Sequence, residues 1–234
     1  MNPIKSIAKE IVTTDIAHHY ISKAYHLKYP GSRQYWEDRY QRGDNSGAGS
    51  YGKLARFKSN VLENFIDQNE VKDVIEFGCG DGNQLSMTEF PPYIGLDVSS
   101  TAIQMCINKF EDEEYKSFFL YNPESFVDNR GIFKSDLGLS LDVIYHLTED
   151  DIYQKYMEDL FSSSRKYVII YSSNTTKKYV DDKHVKHRKF TNWVENNARD
   201  WELDRVIDNK YSYDPSNPEN TSWSDFYIFK HTSH

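Results

Sequence analysis

Three groups of residues in this chain have types and spacings that can do chemistry. The first is Val74–Leu85, VIEFGCGDGNQL, where an apolar run carrying Glu76 gives way to Gly78, Gly80 and Gly82 at every second position. Glycine turns after a strand let the backbone approach a nucleotide-like ligand. The dinucleotide spacing G-x-G-x-x-G/A is not met, because the third glycine comes one position early and Asn83 stands where Gly or Ala is required. A pyrophosphate would also meet the carboxylates of Glu76 and Asp81 at this turn. Those acids suit a ligand that carries an ammonium group and no phosphate.

The second group is Asp142-Val-Ile-Tyr145-His146. A separation of four residues places Asp142 and His146 on one face of a helical turn. A carboxylate there can orient an imidazole as general base, or both groups can face a substrate. The third group is His184-x-x-His187-Arg188, inside the basic stretch KKYVDDKHVKHRKF. Two histidines and an arginine suit sugar hydroxyls or a phosphate, and either histidine is an alternative base. No compact carboxylate trio accompanies them, and Cys79 and Cys106 lack a CxxC or zinc spacing, so no metal ligands are assigned.

These groups need elements to position them. Leu54, Phe57, Val61, Leu62, Phe65 and Ile66 recur at helical spacing and predict an amphipathic helix of about four turns. From Asp73 short apolar runs alternate with helices. DVIEF, Tyr93–Asp97, Ser117–Tyr121, Asp136–Leu141 and Lys166–Tyr171 read as five strands. Ser99 caps a helix with Ile103, Ile107 and Phe110 inward, and Glu149, Asp150 and Asp151 open another helix. WELDRVI and SDFYIF read as a final hairpin-like pair joined by a long loop. Alternation of this kind predicts a parallel sheet with helices on both faces, and ligands then bind beyond the carboxyl ends of the strands. The first ~30 residues read as weakly helical. We divide the chain into an N-terminal helical extension, 1–70, that forms a lid, and a ligand-binding domain, 71–234. Tyr35–Gly52, with its aromatics, arginines and small-residue loop, is placed to close over the site.

Composition narrows the partners. The chain has 234 residues, enough for one large domain with an extension, and a net charge of −8. That charge argues against a phosphate-tracking surface for nucleic acid. No apolar run approaches the ~20 residues of a membrane span, and the N-terminus lacks the apolar core of a signal peptide, so the expected location is cytoplasmic, without membrane insertion. The 18 tyrosines and 13 phenylalanines serve core packing and polar ligands such as sugars alike.

With Glu76-x-Gly78-x-Gly80-x-Gly82 after a first strand, Asp97 ending the second strand 21 residues on, and DLGLSLDVIYHL at the exit of the fourth, the chain resembles the class I S-adenosylmethionine-dependent methyltransferases. The resemblance spans about Asp73 to Phe229. It implies a Rossmann-like, seven-stranded, mostly parallel sheet with a C-terminal antiparallel strand. It also implies S-adenosylmethionine as donor and S-adenosylhomocysteine as product. The donor-binding residues it implies are Glu76, Gly78, Cys79, Gly80, Gly82, Asp97, Val98, Asn122, Leu141 and Asp142. Asp97 would accept hydrogen bonds from both ribose hydroxyls, and Asn122 would contact the adenine. Arg39 or the backbone at Ser50–Tyr51 would hold the donor carboxylate. His146 would be the base, with Asp142 beside it, and Tyr145, His184, His187 and Arg188 would shape the acceptor pocket. Some sugar O-methyltransferases use a divalent ion. Tyr35–Gly52 and HVKHRKF together resemble a subgroup found beside, or fused to, glycan-building enzymes such as glycosyltransferases. O-methylation of a sugar hydroxyl is therefore the expected reaction. The alternatives are another small-molecule O or N acceptor, or a non-catalytic donor-binding module of a glycan-synthesis assembly. A dehydrogenase is disfavoured by Asn83, and base N-methylation by Asp142-Val-Ile-Tyr145 in place of an Asn/Asp-Pro-Pro-Tyr signature.

Overall fold

A computed structural model describes residues 29–179 and 182–234. The helical reading of the first ~30 residues falls almost wholly outside them. Seven strands form one sheet in the order β3-β2-β1-β4-β5-β7-β6. They are β1 Val74–Phe77, β2 Tyr93–Asp97, β3 Lys116–Leu120, β4 Ser135–Leu141, β5 Ser164–Ser172, β6 Trp201–Ile207 and β7 Asp225–His231. β1 to β5 pair in parallel, while β7 runs antiparallel to both β5 and β6. The chain steps outward from β1 to β3 and then crosses back to β4, so the topological switch lies between β1 and β4. Ligand crevices form at such a point because loops diverge from the strand ends there.

The helices are α1 Ser32–Gln41, α2 Gly52–Gln68, α3 Ser100–Lys109, α4 Asp150–Ser162 and α5 Phe190–Asn197. Alternating strand side chains point to opposite faces of the sheet, and each face has its own apolar layer. On one face Leu62, Phe65 and Ile66 of α2 and Ile103 and Cys106 of α3 pack on Val74, Leu137, Leu139 and Ile169. On the other, Tyr156, Met157 and Leu160 of α4 and Phe190 and Val194 of α5 pack on Ile75, Phe77, Val168 and Ile170. α2, assigned from sequence to the extension, thus lies in the same core as the strands. Ser99 caps α3, its side chain accepting from the Ala102 N–H. Ile107 does not point inward: the buried stripe of α3 centres between Ile103 and Cys106, and Ile107 falls on its flank, 44% exposed.

Between β1 and β2 there is no α-helix, only a short turn at Leu85–Met87. The glycine turn therefore lacks the helix N-terminus that a phosphate would seek. Among the described residues no helix is long and apolar enough to cross a membrane.

Candidate functional site

A cavity of about 600 Å³ opens at the carboxyl ends of β1, β2 and β4. Its floor is the glycine turn. Gly78 and Cys79 donate their N–H groups to the Leu96 carbonyl at 2.7 and 3.0 Å, tying the turn to β2. Gly80 donates to Asp97 Oδ2 at 2.9 Å and Ser99 donates to Asp97 Oδ1 at 2.9 Å, so the carboxylate at the end of β2 is fixed by two backbone donors. Gly78 and Gly80 have φ of 88° and 57°, a region that disfavours side chains. A Cβ on Gly78 would stand 2.5 Å from Val143 Cγ2, and one on Gly80 would stand 2.4 Å from Ser46 Oγ.

Two buried acids face this cavity with their charges disfavoured. Burial pushes Glu76 up to about 7, against the Tyr93 hydrogen bond and the Lys58 charge, which favour its anion. Burial likewise pushes Asp97 up to about 6, against its two backbone donors. Lys58 sits among them with its side chain fully buried, its Nζ 2.8 Å from Asp142 Oδ2. Asp142 accepts further from Tyr145 OH and Ser224 Oγ, each at 3.0 Å, and has φ of 60°, rare for a residue with a side chain. The expected helical pairing of Asp142 with His146 is therefore corrected. The turn is left-handed at Asp142, and its carboxylate is occupied by Lys58, Tyr145 and Ser224.

His146 lines the cavity but is oriented by a different partner, its Nδ1 lying 3.1 Å from the His184 carbonyl oxygen. A carbonyl can only accept, so Nδ1 carries the proton and Nε2 presents a lone pair. Burial, followed by the neighbouring His184, pushes His146 down to about 3, so the ring is neutral at ordinary pH. Trp36 packs edge-on against it at 4.9 Å.

The segment from Pro30 to Tyr51 roofs the cavity and is pinned along its length. Ser32 N–H donates to Glu149 at 2.8 Å, and Ser99 and Thr101 hydroxyls donate to Glu37 at 2.6 and 2.7 Å. Although its partial burial works against it, those hydrogen bonds hold Glu37 down at about 2. Ser46 N–H and Tyr51 OH both donate to Asp81 Oδ2, at 2.8 and 2.9 Å, and Asn83 donates to the Ser50 carbonyl at 2.7 Å. Asn83 and Asp81, which spoil a dinucleotide turn, thus serve as anchors for this roof.

Of the residues singled out from sequence, Glu76, Gly78, Cys79, Gly80, Asp97, Val98, Asn122, Leu141, Asp142 and His146 share the cavity wall. Ser50, from the Ser50–Tyr51 backbone, also lines it, and the others lie off it, each for a visible reason. Gly82 abuts Phe110 and Cys106. Arg39 donates to the Asn45 carbonyl at 2.7 Å and covers the Trp36 ring, and Tyr51 is taken by Asp81. Tyr145 points to Asp142. His187 pairs with Ser173 Oγ at 2.6 Å inside a cluster with Tyr179 and Trp223. Arg188 spans the Leu147 and Thr148 carbonyls and Asp150. His184 stands behind His146. Lys58 and Glu37 were missed. A signal for Lys58 exists, a cation at a core position of an otherwise apolar helical stripe, between Leu54 and Leu62. Glu37 has one local partner, Gln41, which donates to it at 2.8 Å, but nothing in the sequence marks its contacts with Ser99 and Thr101, more than sixty residues away. Among the described residues no group of three His, Cys, Asp or Glu side chains is placed to hold a metal ion.

No protein-family model matches the chain, and no curated protein matches it. Solved structures share its fold. N-methyltransferase NodS from Bradyrhizobium japonicum WM9, in complex with S-adenosylhomocysteine, has 13% identity and a TM-score of 0.62, covering 86% of this chain and 98% of that one. Magnesium protoporphyrin IX methyltransferase from Synechocystis PCC 6803, also with S-adenosylhomocysteine, has 13% identity and a TM-score of 0.60, covering 85% and 97%. The methyltransferase domain of bacterial CtHen1-C has 19% identity and a TM-score of 0.59, covering 75% and 97%. At these identities the likeness is one of fold, and it establishes the Rossmann-like methyltransferase architecture.

Proposed function

We propose that this chain is an S-adenosylmethionine-dependent methyltransferase acting on a hydroxyl-bearing small molecule, with a sugar as the preferred class. The observation that carries the reading is the placement of Asp97 and Glu76, two buried carboxylates, beside a glycine turn in the wall of one cavity. Such a wall favours a cationic ligand, and the nucleoside part of the donor has hydroxyls for Asp97 to accept from. NodS and the protoporphyrin methyltransferase, which share the fold, hold S-adenosylhomocysteine. Lys58 is placed to meet the donor carboxylate and Glu76 its ammonium end. The volume fits as well, since about 600 Å³ lies within the range of small-molecule sites.

The donor supplies an electrophilic methyl group on a sulfonium. The protein's part is to align an acceptor beneath the roof and to take up its proton. A neutral imidazole at His146 Nε2 serves that purpose. An alcohol oxygen becomes strongly acidic as it gains a methyl group, so a weak base can take the proton late in the transfer. Trp36 offers an apolar ring beside the imidazole, a surface suited to the carbon face of a sugar. An amine acceptor is the second reading, favoured by Glu149 and Asp151 on the same wall.

Calorimetry with S-adenosylhomocysteine and with NAD tests the donor. Tight binding of the first and none of the second is expected, and the reverse would overturn the reading. A screen of mono- and oligosaccharides and of amines with labelled donor then separates the two acceptor classes.

A further inference from the structure

We propose that Asp182 and His184, in the segment after β5, are positioning residues that hold His146 in the one tautomer able to accept a proton from the cavity. The inference rests on the methyl-transfer reading for its purpose, but its geometry stands apart from it. His184 contributes twice. Its backbone carbonyl receives His146 Nδ1 at 3.1 Å, and its imidazole lies nearly parallel to that of His146, 5.3 Å between centroids at 11°. On the far side the His184 ring stacks on Tyr35 of α1 at 4.5 Å and 12°. Three rings thus form a column, Tyr35–His184–His146, closed at its end by the edge of Trp36. Asp182 seats the middle ring, its Oδ1 lying 2.5 Å from His184 Nδ1.

The segment carrying this pair is laced to the turn that carries His146. Lys186 N–H donates to the Tyr145 carbonyl at 2.7 Å, and Arg188 donates to the Leu147 and Thr148 carbonyls at 2.5 and 3.2 Å. The two backbone stretches are therefore held side by side on both flanks of His146. Because Nδ1 is committed to a carbonyl, the lone pair must reside on Nε2, which has no hydrogen-bond partner among the described residues. The same column links the base to the roof, since Tyr35 and Trp36 belong to the helix that covers the cavity. The titratable and charged groups that act on His146 are Arg39 from α1, Asp142 and Tyr145 from its own turn, and His184 from the segment after β5, itself held by Asp182. Burial and the adjacent His184 keep the ring neutral.

The test is a nitrogen-15 correlation spectrum of the histidine side chains of the full chain, with His146→Gln used for assignment. Wild type is expected to show His146 as a single Nδ1–H tautomer that does not titrate between pH 5 and 8. His184→Ala keeps that carbonyl but removes the ring that Asp182 and Tyr35 seat, so the segment bearing the carbonyl should shift, giving mixed tautomers and a titration raised toward the ordinary histidine value of about 6.5. His184→Phe, which returns a flat ring, should restore the single tautomer. Asp182→Asn keeps both rings and gives a second route should the alanine variant fold poorly; partial mixing is expected. In turnover, His184→Ala should lower kcat roughly tenfold, the low end of a general-base contribution, at unchanged donor KM, and introduce an acid limb in the pH profile. An unaltered His146 spectrum in both His184→Ala and Asp182→Asn would overturn the proposal. Because the spectra need neither donor nor acceptor, a failure of the methyltransferase reading would leave them decisive.

Discussion

The two walls of the cavity are built by opposite strategies. The wall proposed to hold the donor, the donor wall, is local: Glu76 to Ser99 spans two adjacent strands, and its turn is fixed by backbone hydrogen bonds to Leu96 and Asp97. The wall proposed to face the acceptor, the acceptor wall, is assembled from distant pieces, with Trp36 from α1, His146 from the exit of β4 and His184 from beyond β5. Burial acts on both walls and drives both toward neutrality, with different consequences. On the donor wall it raises Glu76 and Asp97, a cost that a cationic ligand reverses. On the acceptor wall it lowers His146, and the neutral form is the useful one. One physical effect thus prepares one wall to receive a positive charge and the other to receive a proton.

The sharpest way to break the contrast is at the turn itself. Gly80→Val places a branched side chain at φ 57° where a Cβ alone would sit 2.4 Å from Ser46 Oγ. Because the donor wall is continuous backbone, the roof cannot move without releasing Asp81 and Asn83 as well. Affinity for S-adenosylhomocysteine is expected to fall by at least ~100-fold, the loss associated with misplacing a rigid site by about 1 Å. Calorimetry measures it, and circular dichroism confirms that the fold persists.

Lys58 stands where the two walls meet, and its removal tests whether they share one charge network. Lys58→Met leaves Asp142 without its cation, and breaking a buried pair from one side costs about 3–5 kcal/mol. The lower end is expected, since Tyr145 and Ser224 still donate to Asp142. Adding Asp142→Asn should recover much of the loss in denaturant unfolding. Additive losses in the double variant would mean that the pair is not coupled.

Much of this architecture was legible from sequence, and the reason separates the walls again. Strands such as Val74–Phe77 and Asp136–Leu141 are buried on both faces, so their apolar runs mark them regardless of context. Gly78, Gly80 and Asp97 follow directly from strand ends, so these residues of the cavity wall could be numbered before any fold was known. Asp142 and His146 were found for their chemistry, yet their expected mutual contact fails because a left-handed residue breaks the helical turn. The orienting carbonyl of His184 carries no signal in side-chain types at all. Lys58 was concealed inside a helical stripe, and Glu37 among other charges of α1, because Asp142 in the one case and Ser99 and Thr101 in the other are brought close only by the tertiary fold.

Titration offers a graded test of the donor wall. Glu76 is raised from 4.5 to about 7 and Asp97 from 3.8 to about 6, so the folded state holds protons that the unfolded chain has already released. The unfolded state binds fewer protons in these windows, and stability falls as pH rises through them, at no more than about 1.4 kcal/mol per pH unit for each group. Above pH about 7 the curve should flatten. Binding of S-adenosylmethionine favours the ionised acids, so its affinity should rise over the same range, by roughly tenfold per unit at most for one coupled group. Thermal unfolding at pH 5 and pH 8, with and without donor, checks both signs. Glu76→Gln should remove the upper part of each trend, and an unchanged trend would remove Glu76 from the account.

The smallest effect expected is at Arg39, and its smallness is informative. The residue is a cation near the roof, and on charge alone it competes with Lys58 for the donor carboxylate. Its geometry argues otherwise, since Arg39 Nε is spent on the Asn45 carbonyl and its guanidinium lies over Trp36, off the cavity wall. Arg39→Ala should therefore change S-adenosylhomocysteine affinity by less than about twofold, within the ~0.5 kcal/mol typical of surface substitutions. What it should alter is the acceptor wall: freeing Trp36 from its covering cation loosens the ring that closes the column on His146, so acceptor KM is expected to rise a few-fold. A large loss of donor affinity instead would place the donor carboxylate at Arg39 rather than Lys58 and would join the two walls into a single site.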